Sequence, residues 1–72
     1  MQKNEISRLQ KYLQEKFGNT GITLSERKQD PTSLEVLLKG EFIGTVYRDE
    51  DEGDISYDFN MAILEIDLPP AA

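Results

Sequence analysis

The sequence contains neither cysteine nor histidine. Without cysteine the chain has no disulfide and no thiolate metal site, and without histidine it lacks the usual general base and the commonest transition-metal ligand. A serine nucleophile would need a lysine or a carboxylate as its base, and none of these residues lies in a glycine-cradled motif. We therefore expect no enzymatic activity and no cofactor.

Long apolar runs are also missing. No segment approaches the ~20 apolar residues of a membrane span, and the start MQKNEISRLQKY lacks the apolar stretch of a secretory signal. Apolar residues make up 38% of the 72 residues and fall into patterned segments, which favours a folded domain over disorder. We expect one domain over residues 1–72, located in the cytoplasm, with no membrane partner.

Charge is unevenly distributed along the chain. Residues 1–28 carry six basic and three acidic side chains, whereas residues 29–72 carry two basic and eleven acidic ones. Repulsion of phosphates by the acidic part argues against a nucleic-acid partner, and the asymmetry suits self-association or a basic protein partner. No phosphate-binding loop is present, so no small-molecule substrate is evident.

The N-terminal segment has the apolar spacing of a helix. Four apolar residues recur at intervals of three, four and four, which places them on one helical stripe: Ile6, Leu9, Leu13 and Phe17. This spacing predicts a helix over residues 5–17, with Asn4 as its N-cap and Gly18 just after its end.

The rest of the chain alternates as strands do. After Gly18–Gly21 the apolar period changes from 3.6 to 2, which predicts four strands, over residues 22–28, 33–39, 42–48 and 55–67. The phase of the last strand shifts after Ile63, which indicates a bulge near 62–64 or the start of a bent extension. The predicted fold is α+β, with one N-terminal helix packed on a four-stranded antiparallel meander.

The register of the hairpin at residues 39–42 stays open. Its two-residue loop is either Gly40-Glu41 or Lys39-Gly40, and both registers place Ile43 on the inner face. Phe42 and Val46 then lie on the opposite face. With Leu37 they form a predicted apolar strip away from the helix, of the kind that marks interaction surfaces.

Residues 49–54, DEDEGD, are predicted to form the exposed tip of the hairpin between the third and fourth strands. Asp49, Asp51 and Asp54 could offer oxygen ligands to calcium or magnesium. The run departs from the EF-hand pattern, because Gly53 is its fifth residue and the twelfth is Asn60. A hydrated tip without a ligand is the simpler reading.

The acidic tip could also meet a basic partner. Glu50 and Glu52 would then face cationic side chains such as Arg8 and Lys11, within one molecule or between two. Together with the apolar strip, this predicts a noncatalytic protein-interaction module or small adaptor, with homodimerisation as one form of it. The alternative is divalent-cation binding at the 49–54 loop.

The run EFIGTVYRDEDEGDISYDFNMAILEIDL, together with FGN at the helix end, resembles a family of short proteins, mostly from alphaproteobacteria, that is catalogued as a domain of unknown function. The resemblance covers nearly the whole chain and departs from the family only around residues 29–33. It implies a cytoplasmic bacterial protein. The family has no established activity, cofactor or catalytic residues to carry over.

Overall fold

A computed structural model describes residues 1–71 and places one helix before four strands. The elements are α1 (Lys3–Phe17), β1 (Ile22–Glu26), β2 (Ser33–Leu38), β3 (Glu41–Asp51), β4 (Asp54–Asn60) and a 3₁₀ turn (Glu65–Asp67). Neighbouring strands are antiparallel in the order β1-β2-β3-β4. The predicted α+β fold is confirmed. Within residues 1–71, no helix has both the length and the apolar character needed to cross a membrane.

Helix α1 begins two residues before its predicted start. Its N-cap is Gln2, whose backbone N–H donates to the Glu5 carboxylate at 3.4 Å. The prediction that Asn4 caps the helix is wrong, because Glu5 reaches back to satisfy Gln2 and Asn4 already lies inside the helix. Gly18 takes a left-handed conformation (φ 61°) after the last helical residue, as predicted.

Two glutamines attach α1 to β1. The Leu24 N–H donates to Gln10 Oε1 at 3.0 Å, and Gln14 Nε2 donates to the Ile22 carbonyl oxygen at 2.8 Å. These backbone groups lie on the edge of β1 that is not paired with β2. An unpaired strand edge can form hydrogen bonds with another chain, and the two glutamines occupy its donor at Leu24 and its acceptor at Ile22 instead. The helix therefore covers one edge of the sheet as well as part of one face.

The core lies between α1 and the first three strands. Its buried apolar side chains are Leu13, Ile22, Leu34, Val36 and Val46, with Leu24, Leu38, Ile43, Tyr57 and Phe59 packed around them. Residues that face each other across two strands share one side of the sheet. The pairing of Val46 with Phe59, and of Arg48 with Tyr57, thus brings β4 side chains to the helical side.

A β-bulge sets the register between β2 and β3. The turn is Lys39-Gly40, with φ of 51° and 85°, and Leu38 pairs with Glu41. Leu37 then pairs with Phe42 and Val36 with Gly44, so Ile43 is an extra residue. Neither predicted register included a bulge at Ile43, and the bulge reverses the side of the sheet on which Val46 lies. The predicted outward position of Val46 is therefore wrong, and its side chain is only 2% exposed.

The second hairpin is tighter than predicted. Its turn is Glu52-Gly53, with φ of 53° and 84°, and Asp51 pairs with Asp54. The acidic run does lie at the hairpin tip, but four of its residues belong to the strands, so β3 runs past the predicted end at 48. A two-residue turn with positive φ at both positions matches the twist of the strands and needs no longer loop.

Strand β4 ends at Asn60, and its predicted continuation to residue 67 is wrong. Its last pair is Asn60 with Thr45. The bulge at Ile43 interrupts β3 just beyond that pair, so the ladder does not continue. Residues 61–71, here called the C-terminal tail, leave the sheet in an irregular path broken by the 3₁₀ turn.

The close approach at Gly44 gives a first prediction. A Cβ added there would meet the Asn60 carbonyl oxygen and would lie 2.7 Å from Phe59 Cε1. Gly44→Ala should therefore lower the free energy of unfolding by about 1–3 kcal/mol, through overpacking against backbone. Chemical denaturation measures the loss. Gly18→Asn is the control and should cost less, because nothing lies within 4 Å there and asparagine is the usual alternative to glycine at a helix end with a left-handed φ of 61°. Equal stability of Gly44→Ala and the parent would contradict the register.

The helix attachment gives a second prediction. Gln10→Ala leaves the Leu24 N–H without its acceptor and should cost about 1 kcal/mol of unfolding free energy. Lys11→Ala, at the exposed neighbouring position, should cost little. The open β1 edge should also make Gln10→Ala aggregate faster on mild heating, as followed by light scattering. Identical behaviour of the two variants would show that the glutamine does not hold the edge.

Candidate interaction surface

A groove runs between α1 and the second half of the sheet. It encloses about 460 Å³, and Val46, Tyr57 and Phe59 line it from the sheet side. Leu9 and Tyr12 are among the helical residues that form its other wall. It exists because α1 lies against β1 and reaches β4 only through side chains, such as Phe17 against Phe59 and Glu5 against Tyr57. We call it the helix–sheet groove.

Polar side chains close one end of the helix–sheet groove. The Tyr57 hydroxyl donates to the Glu5 carboxylate, and Arg48 Nε lies 3.3 Å from Glu5 Oε2. The Arg48 Nε–H has no hydrogen-bond partner, so its contact with Glu5 is an ion pair without a directed hydrogen bond. Arg48 Nη2 also lies 2.9 Å from Glu50 Oε1. The cluster ties the start of the helix to β3 and β4.

The cluster shifts the pKa values of Glu5 and Tyr57 in opposite directions. The hydrogen bond from Tyr57, assisted by the charge of Arg48, lowers the pKa of Glu5 although partial burial works against it. The same hydrogen bond and burial raise the pKa of Tyr57. At neutral pH Glu5 is therefore ionised and Tyr57 protonated, which suits a structural pair better than proton transfer.

The C-terminal tail exposes a series of large apolar side chains. Their exposed fractions run from 51% to 88%, in the order Met61, Leu68, Leu64, Ile63 and Ile66. A second groove, of about 640 Å³, separates the tail from the first half of β3 and is lined by Phe42, Met61 and Leu64 among others. Such a run is unusual for a monomer, since contiguous exposed apolar surface tends to mark a contact site.

The predicted apolar strip is narrower than expected. Leu37 and Phe42 do pair on the face away from the helix, where Leu37 is half-buried and Phe42 is 56% exposed. Val46 is not part of this strip, because the bulge turns it toward α1 and into the core. The larger exposed apolar surface is the C-terminal tail, which sequence reasoning assigned to a strand.

The charged residues predicted for the surface lie in two separate places. Glu50 and Glu52 are at the hairpin tip, Glu50 paired with Arg48 and Glu52 in the turn itself. Arg8 lines the helix–sheet groove, and Lys11 is exposed on α1. Among residues 1–71, the cation that contacts the tip is Arg48 rather than Arg8 or Lys11.

The proposed metal ligands lie on the two strands at the hairpin tip. Asp51 and Asp54 face each other across the turn, and Asp49 lies two residues before Asp51 on β3. Within the described part of the chain, no three acidic, histidine or cysteine side chains are grouped so that they could hold a metal ion. Cation binding stays a prediction that this geometry does not support.

Sequence reasoning missed two sets of residues. Gln10 and Gln14 are four apart and flank the apolar stripe of α1, so their spacing was a usable signal for contacts beside the core. Glu5 and Tyr57 are 52 positions apart, and no local pattern connects them. The phase change after Ile63 indicated an irregularity near the end of the last strand, but the tail leaves the sheet three residues earlier, after Asn60.

Residues 5–67 match a family described as "Protein of unknown function (DUF3126)". The chain belongs to this family. The match confirms the resemblance to an uncharacterised family, while the alphaproteobacterial origin stays a prediction. The matched region includes most of the C-terminal tail, so the tail is part of the family's domain. No curated protein and no solved structure matches the chain.

The polar cluster predicts an acid-sensitive stability. The pKa of Glu5 is lowered on folding, so its contribution is present above the ordinary value of 4.5 and is lost as the pH falls through the lowered pKa. Tyr57→Phe should cost about 1 kcal/mol of unfolding free energy at pH 7, because the Glu5 carboxylate loses a donor. The cost should shrink as the pH falls below 4.5.

Denaturation of the parent and of Tyr57→Phe at pH 7 and at pH 3 measures this difference. Tyr12→Phe is the control, since Tyr12 is 60% exposed and its ring lies in the same groove. A cost that is equal at both pH values would show that the hydrogen bond to ionised Glu5 is not its source.

Proposed function

We propose that this protein is a noncatalytic protein-interaction module that works as a small adaptor. The observation that carries the proposal is the C-terminal tail, whose five large apolar side chains are each at least half exposed. Fully burying a side chain of this type is worth about 1.5–3 kcal/mol. A partner that covers the tail therefore gains considerable binding free energy at little cost to the fold.

A noncatalytic role is supported by the chemistry of the groove. The sequence offers no histidine or cysteine for acid–base or nucleophilic work. The titratable pair in the helix–sheet groove, Glu5 and Tyr57, has pKa values that move apart and away from neutrality. A general acid or base works best with a pKa near the operating pH, so this pair is better suited to holding α1 in place.

The partner is proposed to be a protein whose contact surface is apolar with a basic margin. The tail interleaves its apolar side chains with Glu65 and Asp67 and contains no basic residue. Nucleic acid is disfavoured, because residues 29–72 carry eleven acidic side chains against two basic ones. The acidic hairpin tip, with Glu52 exposed, would speed the approach of a basic partner.

The site of action is proposed to be the cytoplasm of an alphaproteobacterium. The support is the family resemblance, which implies a cytoplasmic bacterial protein. Fractionation of such a host with an antibody to the chain locates it directly, and recovery in the envelope fraction would contradict the proposal.

The tail gives a direct test of the interaction role. Ile66 is 88% exposed, so Ile66→Asp should leave stability unchanged while it places a charge in the contact. Partners are captured from the native host, identified, purified and titrated against the parent and the variant by calorimetry. We expect affinity to fall at least about tenfold for Ile66→Asp.

Ala71→Asp is the matched control, because it adds the same charge in the tail at a small residue. It should bind within about threefold of the parent. No captured partner, or equal binding by Ile66→Asp and the parent, would remove the proposed function.

A further inference from the structure

We propose that the helix–sheet groove receives the C-terminal tail of a second copy, so that two copies exchange tails. This inference rests on the part of the proposed function that makes the tail a contact surface, and it names a second copy as the occupant. The same chain presents an uncovered apolar groove and an uncovered apolar segment. A reciprocal two-fold arrangement satisfies both features at once, with the same contact made twice.

The groove has the chemistry of an apolar acceptor. Val46, Tyr57 and Phe59 line it from the sheet, and Leu9 and Tyr12 from the helix. The Phe17 ring packs edge-on against Phe59 at 6.2 Å between centroids, which fixes the orientation of the Phe59 ring. Its volume of about 460 Å³ accepts a few aliphatic side chains rather than a whole element.

The charges of the two surfaces are complementary. Helix α1 carries four basic and two acidic side chains, and Arg8 lies in the groove wall. Its companion in the wall, Glu5, is already engaged by Tyr57 and Arg48. The tail carries only Glu65 and Asp67. Attraction between the basic helix and the acidic tail would orient the apolar side chains on approach.

The path of the tail favours a second copy over the tail's own groove. The tail leaves β4 at Asn60 and lies beside the first half of β3, where Met61 and Leu64 line the second groove. To reach its own helix–sheet groove, the tail would have to leave the second groove and turn back across the end of β4. The tail of another copy can enter without such a reversal.

The buried area suits a weak dimer. Three apolar side chains of the tail do not line the second groove, namely Ile63, Ile66 and Leu68, and at roughly 100 Å² each they offer on the order of 300 Å² of apolar surface. With the groove wall counted as well and the contact made twice, the total is on the order of 1,000 Å², which is typical of weak association. Exchange would also shield the floor of the groove, where Tyr57 and Phe59 are half-buried.

Sedimentation equilibrium of the full chain tests the exchange. We expect a monomer–dimer equilibrium whose dissociation constant rises at least about tenfold for Ile66→Asp and for Tyr12→Glu. Tyr12 is 60% exposed in the groove wall, so the fold does not depend on its burial. Ala71→Asp adds the same charge at a small residue at the end of the tail, and Ser7→Glu adds it on α1 outside the groove lining. Both should change the constant by less than about threefold.

Mixing the two weakened variants separates exchange from other dimers. Ile66→Asp keeps an intact groove and Tyr12→Glu keeps an intact tail, so a mixed dimer retains one of its two contacts. Each variant alone retains neither. We therefore expect the mixture to form heterodimers more tightly than either variant forms homodimers, measured with one variant fluorescently labelled.

Three outcomes would overturn the exchange. A strictly monomeric parent, a dimer that Ile66→Asp leaves intact, or a mixture that associates no better than its components each removes it. None of these decides the interaction function, because binding of a captured partner through the tail is measured separately. Conversely, failure of that capture leaves a tail-exchanged dimer standing on its own data.

Discussion

The position of α1 over one edge of the sheet decides most of what the molecule exposes. A helix with its side chains is about 10 Å across, and strands lie about 4.8 Å apart, so one helix covers roughly half of a four-stranded sheet. Gln10 and Gln14 hold α1 over β1 through backbone groups that no other strand satisfies. The uncovered half therefore falls on β4, where Tyr57 and Phe59 line the helix–sheet groove.

A single extra residue in β3 connects the core to the tail. Ile43 shifts the pairing so that Val46 enters the core, and it brings Gly44 against Asn60 and Phe59. The same irregularity ends the ladder at Asn60 and frees the tail. The bulge thus places Val46 in the core and also leaves five apolar side chains of the tail exposed. A chain of 72 residues has little other surface that could bury them.

Patterns in the sequence predict the elements but not the position of the bulge. The stripe of α1 and the alternation of the strands arise from local periodicity, and Gly18 and Gly53 mark turns that require positive φ. Whether Val46 points inward depends on its partner across the sheet, and both registers of the 39–42 hairpin gave a regular ladder. The Glu5–Tyr57–Arg48 cluster depends on a contact across 52 positions, which no local pattern contains. The groove therefore could not be predicted from the sequence. The phase change after Ile63 indicated that the last strand is irregular, but it did not show that the strand ends at Asn60.

The unpaired edge of β4 and the exposed C-terminal tail differ in how far charged side chains oppose association with another chain. Strand β4 is an uncovered edge, but it carries Asp54 and Asp58 with Ser56 between them on the face away from the helix. Charged residues on an edge strand discourage pairing with a like edge, because the carboxylates of two copies would lie close together. The tail has acidic residues too, but they alternate with apolar ones and leave Ile66 almost fully in water. The carboxylates on β4 thus disfavour edge-to-edge assembly, which would continue without limit. The exposed apolar side chains of the tail instead favour docking into a groove, which closes into a dimer.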